Sequence, residues 1–190
     1  MIIPRLVVMA SGGGSIAQAI FDSVAAKDLK AEIVGLISDK ADAQVLKRAR
    51  DCGIKSFTLP MNNDRITWDK EIVETLDLLR PDLVASAGFM RILSKECVEK
   101  FRIINSHPAL LPHFPGAHAV RDTLAAGVSQ SGSTIHWVDS GVDTGEIIAQ
   151  EAVEVLATDT QATLHERIKI VERRLYVATL QQLLFNIVRS

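Results

Sequence analysis

Three polar residues in the second half of the chain have the types and spacing of a group-transfer site. Asn105 and His107 are two residues apart in an extended segment at the end of a predicted strand, so their side chains should project from the same face. Pro108 disfavours helical backbone at His107 and favours an extended chain there. An amide and a protonated imidazole can both donate hydrogen bonds to an oxyanion. Asp143, in a glycine-flanked loop, is an acid that can orient His107 or accept a proton.

Each of these residues also has an interpretation without catalysis. A histidine can be a buried structural residue, and an aspartate in such a loop can form an Asx turn. The Asn-x-His pair lies at the carboxyl end of a predicted parallel strand, where open α/β sheets bind ligands, and this favours the functional interpretation. The histidines lack the spacing of metal ligands, and no serine or cysteine nucleophile pattern accompanies them. The residues therefore indicate direct group transfer without a metal.

A glycine run, Gly12-Gly13-Gly14, precedes Ser15 between a predicted strand and a predicted helix. Glycines let the backbone approach a ligand closely, and the free N–H groups and the dipole at a helix start favour an anion. A tight turn without a ligand is the alternative. Three consecutive glycines exceed what such a turn needs, so we expect a phosphate-binding cradle.

The identity of the phosphate ligand stays open at this point. Gly12, Gly14 and Ala17 match G-x-G-x-x-A, the dinucleotide fingerprint, and Glu32 or Asp39 could supply its acid. A sugar monophosphate would suit the same cradle. A P-loop is excluded because no Gly-Lys-Ser/Thr follows.

The elements that position these residues follow from alternating apolar runs and amphipathic stretches. We predict strands at 6–10, 31–38, 56–59, 83–87, 103–105, 133–138 and 146–155. We predict helices at 15–26, 41–52, 66–79, 94–101, 117–126 and 161–188. The first five strands alternate with helices, whereas the last two have no helix between them. The expected fold is a three-layer α/β sandwich, with a mostly parallel Rossmann-like sheet and an antiparallel C-terminal extension.

Length and composition narrow the class of protein. The 190 residues correspond to one domain over 1–190, and 47% hydrophobic with 23% charged residues is ordinary globular composition. A net charge of −2 does not suggest a nucleic-acid partner, and no apolar run predicts a membrane span. Two cysteines, Cys52 and Cys97, make no disulfide framework. We expect a cytoplasmic protein acting on small molecules; a homodimer is a candidate assembly, with Trp68 or Trp137 as an exposed interface residue.

A family resemblance rests on sequence motifs that occur together and in order over nearly the whole chain: SGGGS (11–15), GFMRIL (88–93), NSHPALLP (105–112), FPGAH (114–118) and GVDTG (141–145). Together they resemble the folate-dependent phosphoribosylglycinamide formyltransferases of purine biosynthesis. The resemblance implies the formyltransferase fold. It also implies transfer of a formyl group from 10-formyltetrahydrofolate to the amine of glycinamide ribonucleotide.

The resemblance also implies roles for particular residues. Asn105 and His107 would steady the oxyanion, and Asp143 would favour the charged histidine and assist proton transfer. The substrate would bind at its phosphate and ribosyl groups to Gly12, Gly13, Gly14, Ser15 and Glu172, although Glu172 could instead be a solvated helix residue. The folate would contact Arg65, Met90, Arg91, Ile92, Leu93, Asn105, Val138, Asp139, Ser140, Gly141 and Val142. The two arginines are candidates for its glutamate carboxylates, although Arg65 could instead be an exposed side chain without a ligand.

Some residues depart from the family pattern. Ile16 stands where an asparagine is usual and removes a polar side chain from the edge of the cradle. Arg173 and Val177 replace a common histidine and proline, in positions that look peripheral. Formyltetrahydrofolate deformylase and methionyl-tRNA formyltransferase are related enzymes that remain as alternatives. Both carry an additional domain, and we expect no room for one in this chain, so its length favours the single-domain enzyme. A nicotinamide-dependent oxidoreductase and a non-catalytic binding module are the alternatives outside the family.

Overall fold

The computed structural model describes residues 3–61 and 63–189, and its sheet accounts for the buried apolar runs. In chain order the strands are β1 (Arg5–Met9), β2 (Glu32–Ser38), β3 (Ser56–Thr58), β4 (Leu83–Ser86), β5 (Ile103–His107), β6 (Gln130–Trp137) and β7 (Ile147–Glu154). They form one sheet in the order β3-β2-β1-β4-β5-β6-β7. Pairings among β1 to β5 are parallel, whereas β5–β6 and β6–β7 are antiparallel.

The helices cover both faces of this sheet. In chain order they are α1 (Ser15–Ala25), α2 (Gln44–Asp51), α3 (Arg65–Leu79), α4 (Lys95–Lys100), α5 (Ala119–Ala125) and α6 (Gln161–Arg189). The predicted fold class is confirmed: a mostly parallel sheet between helical layers, with an antiparallel extension formed by β6 and β7.

Strand β1 shows why its residues form a two-sided core. Leu6 and Val8 pack with α1 and α6 on one face, whereas Val7 and Met9 pack with α3 on the other. Side chains alternate between the faces of a strand, so a continuous apolar run places apolar groups on both. All four are fully buried. The carboxyl end of β1 is therefore fixed from both sides where the chain enters the glycine run.

Several predicted boundaries differ from the structure. The second helix begins at Gln44 instead of 41, because Ala43 N–H bonds to Lys40 O in a turn before it. Strand β6 begins at Gln130, three residues earlier than predicted, because it pairs with β7 as far as Glu154. The expectation that Trp68 is exposed was wrong: it has 0% exposure, and its indole N–H donates to Leu59 O at 2.8 Å.

Candidate active site

Register places three of the polar side chains on one face of the sheet. Asn105 and His107 lie on β5, and antiparallel pairing sets His136 of β6 directly beside Asn105. The loop after β6 folds back over this face, so that Asp143 Oδ2 lies 3.2 Å from His107 Nδ1 and Asp143 Oδ1 lies 3.5 Å from His136 Nε2. The structure thus brings together Asn105, His107 and Asp143, as the sequence predicted, and adds a second histidine.

Both ring nitrogens of His107 face hydrogen-bond acceptors. Nδ1 faces the Asp143 carboxylate, and Nε2 lies 2.7 Å from Phe114 O. A carbonyl and a carboxylate oxygen can only accept, so both contacts are satisfied at once only by the imidazolium form. The side chain is buried, and its carboxylate partner compensates the positive charge. This arrangement can accommodate a cation beside the Asn105 amide.

The Asp143 carboxylate is held ionised by its neighbours. Burial raises its pKa, but the hydrogen bond with His136, the N–H of Gly116 at 2.8 Å and the charge of His107 together lower it below the ordinary value. The residue has a positive φ of 54°, and the bend that places it there is tight. A Cβ on Gly145 would lie 1.7 Å from Trp137 O, so only glycine allows this loop to approach β6.

Ser86 and His136 determine how the Asn105 amide is presented. The Ser86 hydroxyl, on β4, donates to Asn105 Oδ1 at 2.9 Å. Asn105 Nδ2 lies 3.4 Å from His136 Nε2, and His136 Nδ1 lies 2.8 Å from Trp137 O. Because the amide oxygen is already engaged, the amide presents its N–H₂ group as a donor.

The segment after β5 is anchored to the antiparallel extension. Thr134 Oγ1 donates to Ala109 O at 2.6 Å and accepts from Leu111 N–H at 3.1 Å. Gln150 Nε2 donates to Leu111 O at 2.7 Å. These bonds fix the chain that leaves His107 and carries Phe114 and Gly116 back to the imidazole and the carboxylate.

The glycine run forms an open loop at the carboxyl end of β1. Gly14 precedes α1 with a φ of 71°, and a Cβ there would lie 2.4 Å from Val45 Cγ2, so no other residue fits. Gly12 and Gly13 are exposed, and Ser15 begins α1. Ile16, in the first turn of α1, is buried in the core, so its side chain contributes to packing instead of lining the edge of the cradle.

The cradle and the polar cluster lie close enough for one sugar phosphate to span. Only β4 separates β1 from β5, so their ends are about 10 Å apart, twice the usual strand spacing. Ser11 joins the cradle to the loop after β4: its N–H bonds to Gly88 O at 3.0 Å, and its hydroxyl accepts from Met90 N–H at 2.8 Å.

The two predicted folate segments border the same apolar cluster. Leu93 and Val138 pack in the same apolar cluster, whereas Met90, Ile92 and Val142 are exposed at 72%, 59% and 49%. Exposed apolar side chains beside a polar cluster suit a flat aromatic ligand. The region therefore has a surface that fits a pterin, between residues 90–93 and 138–142.

Other members of these segments have structural roles in the present conformation. Asp139 Oδ1 accepts from Gly141 N–H at 3.0 Å and from Thr144 Oγ1 at 2.7 Å, which closes the turn through exposed Ser140. Arg65 donates to Ile92 O at 2.5 Å and pairs with Asp69 at 2.8 Å. Arg65 is exposed, and whether it binds a ligand stays a prediction.

Arg91 has a different partner from Arg65. Its Nε lies 2.6 Å from Asp39 Oδ2, and the Asp39 carboxylate is fully buried. Arg91 therefore reaches across the end of β1 to β2, towards the cradle. The same pair removes support for a dinucleotide site, because Asp39 is the acid at the end of β2 that would have to bind a ribose, and a cation already covers it.

Glu172 on α6 is buried, at 7% exposure, so the interpretation as a solvated helix residue is wrong. Burial raises its pKa, and the opposing effects of a hydrogen bond with Ser106 and of the charges of Lys169 and Arg173 do not offset this. Ser106 lies between Asn105 and His107 but projects to the opposite face of β5. Glu172 is thus next to β5, on the α6 side.

Sequence reasoning missed Ser86, His136, Phe114 and Gly116. The period-2 pattern of β6 carried a usable signal for His136, since it projects with Thr134 on one face. The contacts of the others depend on strand order and loop conformation. Within the described ranges 3–61 and 63–189, no three histidine, cysteine or acidic residues are grouped as metal ligands, and no helix is long and apolar enough to span a membrane.

Comparison with known proteins decides the family. A family model described as formyl transferase matches residues 4–180. The chain belongs to the formyl transferase family. Among curated members, phosphoribosylglycinamide formyltransferase of Mycobacterium tuberculosis is 45% identical over 94% of this chain and 84% of its own. The Bacillus subtilis enzyme of that name is 38% identical over 95% and 94%.

Solved structures of formyl transferases superpose closely on the model. Glycinamide ribonucleotide transformylase 1 from Symbiobacterium toebii gives a TM-score of 0.94 at 38% identity, over 97% of this chain and 89% of that one. Phosphoribosylglycinamide formyltransferase from Bacillus halodurans gives 0.90 at 42% identity, over 95% of each chain. The resemblance drawn from the motifs and the expected formyltransferase fold are both confirmed.

Proposed function

We propose that this chain, as a single domain over 1–190, transfers the formyl group of 10-formyltetrahydrofolate to the amine of glycinamide ribonucleotide. The observation that carries the proposal is the convergence of Asn105, His107 and Asp143 on one face, within a sugar phosphate's reach of the glycine cradle. The names of its relatives support the substrate pair. A cytoplasmic location suits this small-molecule chemistry.

The chemistry requires stabilisation of one transient negative charge. The substrate amine attacks the formyl carbon, and its carbonyl oxygen becomes an oxyanion. The Asn105 N–H₂ group donates to this oxygen, and the His107 imidazolium lowers the energy of the charge. Since His107 Nε2 bonds to Phe114 O in the present conformation, direct donation to the oxyanion requires this bond to be shared or broken.

Proton transfer completes the reaction. The attacking nitrogen must lose a proton as its new carbon–nitrogen bond forms, and the donor nitrogen must gain one as its bond to carbon breaks. Asp143 is ionised and bonded to His107, so it can accept and return the proton, directly or through water. No metal enters this sequence of steps.

The two substrates bind to different parts of the site. The N–H groups of Gly12, Gly13 and Gly14, with Ser15, bind the phosphate, and Glu172 binds the ribosyl hydroxyls. Residues 90–93 and 138–142 hold the pterin, with Asn105 beside the reacting carbon. Arg65 lies at the outer end of this surface and is available for a folate carboxylate, whereas Arg91 is directed by Asp39 towards the cradle.

The deciding assay combines 10-formyltetrahydrofolate with glycinamide ribonucleotide and omits each substrate in turn. Formylated product only when both are present supports the transferase. Release of formate from the folate alone would instead identify a deformylase. Titration with NAD tests the oxidoreductase alternative, and we expect no binding.

A further inference from the structure

The cradle loop is braced from behind by helix α2. The N–H of Val45, in the first turn of α2, donates to Gly12 O at 3.1 Å. One turn later, the guanidinium of Arg48 donates from Nε to Gly13 O at 2.8 Å. A second guanidinium nitrogen donates to Gln18 Oε1 on α1 at 3.2 Å, which fixes the arginine between the two helices.

These bonds determine where the amide groups of the cradle point. In a trans peptide the C=O and the following N–H point in opposite directions. The carbonyls of Gly12 and Gly13 are turned towards α2, so the N–H groups of Gly13 and Gly14 are turned away from it. These N–H groups meet no acceptor in the part of the chain that the structure describes. They are therefore available to an anion on the open side of the loop.

The backbone conformation of Gly13 depends on the Arg48 hydrogen bond, because Gly13 lacks the packing contacts that hold Gly14. Gly14 is wedged against Val45, whereas Gly13 is exposed, and a Cβ on it would meet only Gln44, at 3.7 Å. A glycine without packing contacts rotates freely about its backbone bonds. Among the described residues, the Arg48 hydrogen bond is the side-chain contact that holds this peptide plane.

We infer that Arg48 is a positioning residue for substrate phosphate: its hydrogen bond to Gly13 O keeps the Gly14 N–H directed at the phosphate, and its charge favours the anion. This inference rests on the proposed function and adds a residue outside the catalytic cluster. The predicted effect is specific. Arg48 governs affinity for the phosphorylated substrate, and within residues 3–61 and 63–189 its hydrogen bonds go to Gly13 and Gln18, not to the residues proposed to hold the folate or stabilise the oxyanion.

The test compares Arg48→Met with Arg48→Lys and with Arg50→Met as the matched control. Arg50 is on the same helix, is exposed, and has no side-chain partner among the described residues, so its substitution removes the same charge without touching the loop. We expect Arg48→Met to raise KM for glycinamide ribonucleotide about tenfold, the effect of losing one charge-assisted hydrogen bond. In Arg48→Met, kcat and the KM for the folate should each change by less than about twofold. Arg48→Lys should recover part of the lost affinity for glycinamide ribonucleotide.

Two further measurements separate positioning from general damage. Turnover of the dephosphorylated substrate, glycinamide riboside, should be the same in wild type and Arg48→Met. Added methylguanidinium should restore phosphate-dependent affinity to Arg48→Ala. The inference would be overturned by an unchanged KM for the ribonucleotide in Arg48→Met, or by an equal loss of activity with the riboside. In either case, activity of the wild type would leave the proposed function intact. An inactive wild type would refute the proposed function itself.

Discussion

Replacing Asp143 by asparagine tests the catalytic cluster with little change of shape. The amide oxygen can still accept from Gly116 N–H, at 2.8 Å in the native chain, and from His107 Nδ1, at 3.2 Å. The amide nitrogen then faces His136 Nε2, which can accept a hydrogen bond in its neutral form. The substitution therefore removes a charge and keeps the acceptor for Gly116 N–H and His107 Nδ1, whereas the contact with His136 Nε2 changes direction.

The size of the effect follows from the distance between the charges. Two unit charges 3.2 Å apart interact by about 5 kcal/mol at an effective dielectric constant of 20. Part of this is offset because the native carboxylate had to be desolvated, and the amide oxygen keeps a neutral hydrogen bond. About 3–4 kcal/mol of lost stabilisation corresponds to a fall in kcat of two to three orders of magnitude.

The assay measures kcat and both KM values for Asp143→Asn against wild type and against Asp51→Asn, a surface aspartate paired with Lys47. The pH dependence of thermal unfolding provides a second readout. Because the folded-state pKa of Asp143 is below its ordinary value of 3.8, its ionised form stabilises the fold above pH 3.8, and this is lost as the pH falls through the folded-state pKa. The stability difference between variant and wild type should therefore shrink in acid. A variant with normal kcat would remove Asp143 from the mechanism.

Other predictions address separate features. Asn105→Ala should lower kcat by about 10²–10³, as expected for loss of one oxyanion donor; near-normal turnover would contradict its role. Glu172→Gln should raise the melting temperature at neutral pH, because burial raises the pKa of Glu172 above 4.5 and its ionised form destabilises the fold; the gain should diminish as the pH falls through the raised folded-state pKa and be absent below 4.5, and KM for the ribonucleotide should rise. Burial raises the pKa of the Cys97 thiol to about 12, whereas Cys52 is exposed, so a thiol reagent should modify Cys52 alone in the native protein and both in urea; rapid labelling of Cys97 in the folded chain would contradict this.

The sequence was sufficient to predict the parallel sheet, because its strands are buried on both faces and appear as unbroken apolar runs. It was also sufficient to place Asn105 and His107 on one face, since period-2 geometry is local. The contact of Asp143 with His107 was predicted from the residue type and the family resemblance. The path of the loop over β5 and β6, which brings Asp143 there, was not predicted.

The residues that sequence reasoning missed depend on contacts between distant segments. Ser86 reaches Asn105 only because β4 and β5 are neighbours in register. Arg48 appears to be an ordinary helix residue until α2 is packed behind the cradle. Trp68 was predicted to be exposed because helix α3 has a broad apolar face whose limits the sequence did not define. In each case the sequence pattern describes only neighbouring residues, whereas the contact that matters joins segments that are distant in the sequence.

Tyr176 connects α6 to β4 and β5, the strands that carry Ser86, Asn105 and His107. Its hydroxyl lies 3.0 Å from Ser86 O and 3.1 Å from Ile104 O, and the whole side chain is buried against the sheet. During synthesis, β4 and β5 leave the ribosome long before this tyrosine is made, and until then one face of both strands stays uncovered. The face of β4 and β5 that Tyr176 covers can therefore be completed only after this part of α6 has been translated.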